Sequence, residues 1–223
     1  MNHSSRAMSL IQRQVLNQRS RPIRTPCDVF INHRGIDTKR TVASLLYDHL
    51  SRLNLRPFLD SKNMKPGDKL FEKIDGAIRD CKVGVTVFSP RYCESYFCLH
   101  ELALLMESRK KIIPLFCDIK PSELRVLDTR SVPEMAVKRF NAALEEAKFT
   151  VGVTFDSVKG NWSDVVTSVS DIVIDSLMEV QEEEQLRRRS TLMEVQEEEQ
   201  LRRRGTRISF PNVARASQIV GRY

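Results

Sequence analysis

Val83-Gly-Val-Thr-Val-Phe-Ser-Pro-Arg-Tyr-Cys-Glu-Ser-Tyr-Phe-Cys-Leu-His-Glu-Leu-Ala-Leu-Leu105 carries two hydrophobic periods in one run. Up to Phe88 it is β-branched and apolar, as a buried strand requires. Ser89-Pro90 breaks the run. After a polar aromatic loop, Leu99, Leu102 and Leu105 return at helical spacing, with Glu101 among them. Strand, loop and helix in that order form the repeating unit of a parallel α/β sheet. A lone carboxylate on that apolar helix needs a chemical reason, because burying an unpaired charge is costly.

The same alternation extends outward in both directions. Upstream, Cys27 to Asn32 reads as a strand, and His33 to Thr38 as a loop ending in a helix cap. Val42, Leu45, Leu46, His49, Leu50 and Leu53 share one helical face. Arg56 to Asp60 is a second strand, and Ser61 to Asp68, with Pro66-Gly67, a loop. Leu70, Ile74, Ala77 and Ile78 then mark a helix. Downstream, the pattern predicts a strand over Lys111 to Cys117, a helix over Met135 to Ala147, a strand over Val151 to Phe155 and a helix over Trp162 to Leu177. The fold expected is an α/β, flavodoxin-like three-layer sandwich with a five-stranded parallel sheet. Ligands in such sheets sit beyond the carboxyl ends of the strands, so the loops at 33–38, 60–69 and 89–98 are where a site belongs.

A chain of 223 residues has room for one domain of about 150 residues with extensions. The net charge of +7 is unevenly placed. Residues 1–26 contribute +5 from five arginines with no acid, whereas 27–176 and 177–223 each contribute +1. The excess lies in an N-terminal arm, so the basic pI does not imply a nucleic-acid-binding core. That arm reads as basic and disordered, with an organellar transit peptide as the lesser alternative. No apolar run approaches the ~20 residues of a membrane span. Five scattered cysteines, an odd number, suggest a reducing compartment, cytoplasmic or nuclear. Cys93, Cys98 and His100 lack the second ligand pair of a structural zinc site, so no metal is expected.

Beyond the domain, Leu177-Met-Glu-Val-Gln-Glu-Glu-Glu-Gln-Leu-Arg-Arg-Arg189 recurs identically as Leu192 to Arg204. Glu183 with Arg187, and Glu184 with Arg188, are i,i+4 pairs in the favourable order, each worth ~0.2–0.5 kcal/mol. The division expected is an arm over 1–26, a domain over 27–176, a duplicated charged helix over 177–204 and a disordered tail over 205–223. A left-handed coiled coil is disfavoured, because Glu184 and Arg187 fall where the seam from Leu177 and Val180 would continue. Arg203-Arg204-Gly205-Thr206 and Arg207-Ile-Ser209 are weak signals for a basophilic kinase.

Several separated motifs together resemble a plant TIR (Toll/interleukin-1 receptor) domain. They are Cys27-Asp-Val-Phe-Ile-Asn-His-Arg-Gly-Ile-Asp-Thr38, Phe58-Leu-Asp60 with Pro66-Gly-Asp68, Val87-Phe-Ser89 with Tyr92, Cys98-Leu-His-Glu-Leu102, and Pro114-Leu-Phe-Cys-Asp118 with Pro121-Ser122. The resemblance spans roughly 27–176. No phosphate-binding G-x-x-x-x-G-K-[ST] loop and no leucine-repeat period follows, so the chain resembles a TIR-only protein.

The resemblance implies cleavage of the nicotinamide glycosidic bond of NAD⁺, with NAD⁺ as substrate and no tightly bound cofactor. Glu101 stands at the catalytic position, and Arg34, Gly35, Phe97 and Cys98 are the implied substrate-binding residues. One carboxylate suffices for this chemistry. Ordinary glycosidases need a second to protonate the leaving oxygen, but nicotinamide departs from a cationic pyridinium. Glu101 then has only to hold ribose hydroxyls and favour an oxocarbenium ion. Helical spacing puts Cys98 one turn before Glu101 on a neighbouring part of the surface, with packing as the commoner role of such a cysteine, and Phe97, where the family usually has Trp, serves as an aromatic wall. Arg34 has Asp37 and Asp60 as alternative partners. The loop from Lys62 to Asp68 is, by resemblance, the one that reorganises on assembly.

Two departures from the family stand out. Asn32-His33-Arg34-Gly35-Ile36-Asp37 replaces S-F-R-G-E-D, and Ser44-Leu45 replaces the Ser-His pair often used for self-association. Implied partners are other TIR domains, including its own copies. The competing functions are a non-enzymatic TIR adaptor and a 2′,3′-cyclic nucleotide synthetase acting on RNA or DNA, the latter with the basic arm capturing nucleic acid.

Overall fold

The computed structural model describes residues 27–127 and 132–205. The readings of the arm at 1–26 and of the tail after Gly205 fall outside the described residues. Five strands, β1 (Val29–His33), β2 (Pro57–Phe58), β3 (Val83–Phe88), β4 (Lys111–Cys117) and β5 (Val153–Phe155), form one sheet in the order β2-β1-β3-β4-β5. Every neighbouring pair is parallel. The long helices are α1 (Val42–Arg52), α2 (Leu70–Asp80), α3 (Tyr96–Glu107), α4 (Glu134–Phe149) and α5 (Trp162–Gly205).

Strand periodicity divides the core into two faces. Val29, Ile31, Val83, Val85 and Val87 point to one face and pack with Val42, Leu46 and Leu50 of α1 and Val165, Val169 and Val173 of α5. Phe30, Phe58, Phe88 and Phe116 point to the other, against α2, α3 and α4. The result is the three-layer sandwich expected of a flavodoxin-like order, with its topological switch between β1 and β3.

Element boundaries shift where backbone chemistry intervenes. The second strand is two residues long, because Asp60–Asn63 already forms a helical turn and the Leu59 amide donates to Asn63 Oδ1 at 2.8 Å. Pro57 is accommodated because β2 is an edge strand. Pro114 sits in a strand paired on both sides, but β5 begins pairing only at Leu115 with Val153. The fifth strand therefore starts two residues later than the sequence pattern predicts. Just before it, a Cβ on Gly152 would come within 2.5 Å of the Pro114 carbonyl oxygen.

The last helix runs without a break past Leu177. One compact unit ends at Val180 and a second begins at Gln181. In the first unit, Leu177 and Val180 pack against the sheet-face core, and Lys111 pairs with Glu179. In the second, every described side chain of the helix is exposed. No helix among the described residues is long and apolar enough to cross a membrane.

Two glycine substitutions should move stability in opposite directions. Gly152→Ala forces a methyl against a backbone oxygen and should cost about 1–3 kcal/mol. Gly76→Ala, inside α2 with nothing within 4 Å of the added carbon, should gain about 0.5–1 kcal/mol. Urea unfolding of the two variants beside the parent checks the pair of signs.

Candidate active site

The site lies at the carboxyl ends of β1 and β3. Its scaffold is a hydrogen-bonded knot centred on Asn32, the buried penultimate residue of β1. Asn32 Nδ2 donates to Tyr92 Oη at 2.8 Å and to the Cys98 carbonyl at 3.1 Å, and Tyr92 Oη donates to that same carbonyl at 3.0 Å. Cys98 Sγ reaches back to the His33 carbonyl at 3.3 Å. Ser95 caps α3 by accepting the Cys98 amide hydrogen. First strand, post-β3 loop and first turn of α3 are thereby held as one piece, and Glu101 follows one turn later.

Glu101 is half-buried. Its carboxylate accepts no hydrogen bond and forms no ion pair among the described residues. Burial first, then the negative charges of Asp60 and Asp75, push its pKa from 4.5 up to about 8. Asp60 begins the helical turn after β2. Its carboxyl is held below the usual range chiefly by the His33 ring, with burial opposing. His33 Nδ1 lies 3.1 Å from Thr38 Oγ1, whose hydroxyl donates to the Arg34 carbonyl at 3.0 Å, and Nε2 faces Asp60 Oδ1 at 3.3 Å. The imidazole that replaces the family's phenyl ring thus ties β1 to the segment after β2.

Arg34 pairs with neither acid expected of it. Asp37 instead accepts the Ser89 hydroxyl at 2.6 Å and the Arg91 amide at 3.0 Å, and Asp60 is engaged by His33. Arg34 Nε is buried without a hydrogen-bond partner. Gly35 opens the helical turn Gly35–Thr38, and a side chain there would meet only His33 Cε1 at 3.8 Å, so packing does not demand a glycine. Cys98, read from helical spacing as a surface neighbour of Glu101, is buried, because its thiol turns inward to the β1 carbonyl. Burial raises that thiol to about 12, while Glu101, Arg34 and Asp60 all act on it electrostatically. The structure therefore brings Glu101, Arg34 and Asp60 together around the Cys98 turn.

Phe97 lies on the exposed side. Its ring is 5.5 Å from that of Phe71 on α2 and 6.1 Å from that of Tyr96, making an open aromatic shelf beside the site. Beneath it, His100 faces Phe71 edge-on and stacks on Tyr96. His100 Nε2 meets Asp75 at 3.2 Å, and its Nδ1 accepts from Arg139 of α4 at 3.1 Å. Cys98 and His100 are thus turned to separate partners. The influence of Asp75 on Glu101 had no sequence signal: the two are 26 positions apart on different helices, and only the packing of α2 on α3 joins them.

The TIR domain family model matches residues 29–145. The sequence is 51% identical, over 168 residues covering 74% of each chain, to a Brachypodium distachyon protein named probable 2′ cyclic ADP-D-ribose synthase BdTIR. This chain belongs to the TIR domain family. It is also 35% identical over 102 residues to the TMV resistance protein N of Nicotiana glutinosa, of whose length it spans 9%. Among solved structures, the TIR domains of the activated Roq1 resistosome superpose with a TM-score of 0.58 at 25% identity, covering 66% of this chain and 99% of that one. The TIR fold therefore positions Glu101, and burial first, then the surrounding charges, set its titration.

The raised pKa of Glu101 has a thermodynamic consequence. Between 4.5 and about 8 the folded TIR domain keeps a proton that the unfolded chain has released, so ionisation of Glu101 erodes stability as pH rises through that window. Glu101→Gln should therefore melt close to the parent near pH 4 and progressively above it up to pH 8.5. Differential scanning fluorimetry across that range checks this, and a pH-independent difference contradicts it.

Proposed function

We propose that this TIR domain cleaves the nicotinamide–ribose bond of NAD⁺ and passes the ADP-ribosyl group to water or to a hydroxyl of the same molecule, giving ADP-ribose or a cyclic ADP-ribose, as an NAD⁺ glycohydrolase in plant immune signalling. The observation that carries the reading is the unpaired carboxylate of Glu101, half-buried beside a partnerless Arg34 Nε and an open aromatic shelf. The relative named as a 2′ cyclic ADP-D-ribose synthase supports the cyclic outcome. Five thiols that are free and buried suit a reducing compartment such as the cytoplasm.

In this mechanism the C–N bond to nicotinamide breaks with its electron pair going to the ring nitrogen, which becomes neutral. No general acid is required. Ionised Glu101 favours the cationic ribose and then takes the proton of the attacking hydroxyl, a role suited to a carboxylate tuned near neutrality. Arg34, half-exposed as a residue, offers its guanidinium head to the pyrophosphate oxygens, where a guanidinium is well matched. Phe97 and Phe71 present faces on which a heterocycle stacks. Cys98 acts as a buried wall that holds the α3 turn. Exclusion of water from the ribosyl cation decides between cyclisation and hydrolysis. Self-association, expected for activation, brings copies of the domain together around this open site.

Incubation with NAD⁺ should release nicotinamide, and Glu101→Gln should lower the rate by about 10²-fold or more. Equal release from both proteins would sink the assignment. Because the base must be ionised, kcat/KM should climb with pH and level off above about 8. Phe97→Ala should raise KM more than it lowers kcat. Chromatography of the products against linear and cyclic ADP-ribose standards resolves the acceptor.

A further inference from the structure

The helix beyond Gln181 exposes what a core helix would hide. Leu186, Leu192 and Met193 are 66%, 62% and 62% exposed. Their arrangement follows the duplication. A fifteen-residue repeat spans four helical turns at about 3.75 residues per turn, longer than the 3.6 of a straight helix, so its stripe drifts in the right-handed sense. On the heptad period, Glu184 and Arg187 interrupt a left-handed seam. On the fifteen-residue period a different stripe lines up at positions 182, 186, 189, 193 and 197, then 201 and 204. Its residue order is Glu, Leu, Arg, Met, repeated as Glu, Leu, Arg.

Paired in register with its own copy, this stripe is complementary to itself only when reversed. Acidic runs stand at 182–184 and 197–199 and basic runs at 187–189 and 202–204. Parallel in-register pairing sets every run against its like. Reflection about Met193 sets 187–189 against 197–199 and 182–184 against 202–204, so all four runs meet opposites. In the stripe, Arg189 and Glu197 lie four residues either side of Met193, and positions 182 and 204 eleven either side. Leu186 comes opposite position 200, next to Leu201. Within one chain the Glu183–Arg187 contact is a long 3.8 Å between exposed side chains, a weak hold that a partner's opposite charge can replace.

We propose that the helical segment 181–205 pairs antiparallel with the same segment of a second copy of this chain, about a two-fold axis at Met193. The contact is isologous and closed, so it makes dimers rather than filaments. Its specificity comes from the charge runs and its adhesion from Met193 and the Leu186–Leu201 steps, which makes it salt-sensitive.

The full chain supplies the test. Met193→Cys should give a disulfide-linked dimer of twice 25.7 kDa under mild oxidation at low salt. Leu186→Cys, whose two copies sit about 21 Å apart along the axis, should not, and the parent with its buried thiols is the blank. Reversing 187–189 to Glu, or 197–199 to Arg, in the Met193→Cys background should each reduce the cross-link at least tenfold. Both reversals in one chain, or a mixture of the two variants, should restore it. Circular dichroism checks that helix content is kept, and the comparison of 193 with 186 needs no charge change. Equal cross-linking at both positions, none at 193, indifference to the single reversals or failure of the double reversal overturns the proposal.

Discussion

The amide of Asn32 is the joint on which the functional end of the molecule depends. A buried side-chain donor inside a strand must find acceptors, and this one finds Tyr92 Oη and the Cys98 carbonyl. Satisfying it draws the loop after β3 down onto the end of β1 and fixes where α3 begins. Glu101 inherits its position from that start, one helical turn on. The topological switch between β1 and β3 is where such sheets take a ligand, and the Asn32 knot determines which residues stand there.

Around Glu101 the charges do not cancel. The carboxylates of Asp60 and Asp75 both act on Glu101, while Arg34 has an unpartnered nitrogen. His33 relieves Asp60 and His100 engages Asp75, so the repulsion falls on Glu101. A stability-optimised core would have paired or replaced that carboxylate. Keeping it ionisable and uncompensated is the kind of local cost that marks a site where charge is reserved for a ligand.

The last helix obeys two rules in succession. Its first part follows the 3.6-residue period and seats Val165, Val169 and Val173 on the sheet. Its second part follows the fifteen-residue duplication and has no core to meet. The two copies of one peptide therefore occupy unlike surroundings: Leu177 and Val180 are packed, whereas Leu192 and Val195 are exposed. Identical sequence acquires different surfaces according to what lies beneath it.

Alternating apolar strands and helical leucine spacing were enough to determine the five-stranded parallel sandwich, because each period is local and its burial non-directional. The separated motifs from Cys27 to Ser122, Cys98-Leu-His-Glu-Leu102 among them, likewise pointed to the family. Tertiary packing decided the rest. Local pattern left Cys98 between a surface position and a packing role, and a carbonyl 65 residues earlier in the chain turns its thiol inward. It offered Arg34 two acids, both taken by other donors across the loops. It was silent on Asp75, whose charge reaches Glu101 only because α2 lies against α3. Hydrogen bonds and charges act across space between distant segments, so their partners become legible only when the chain is folded.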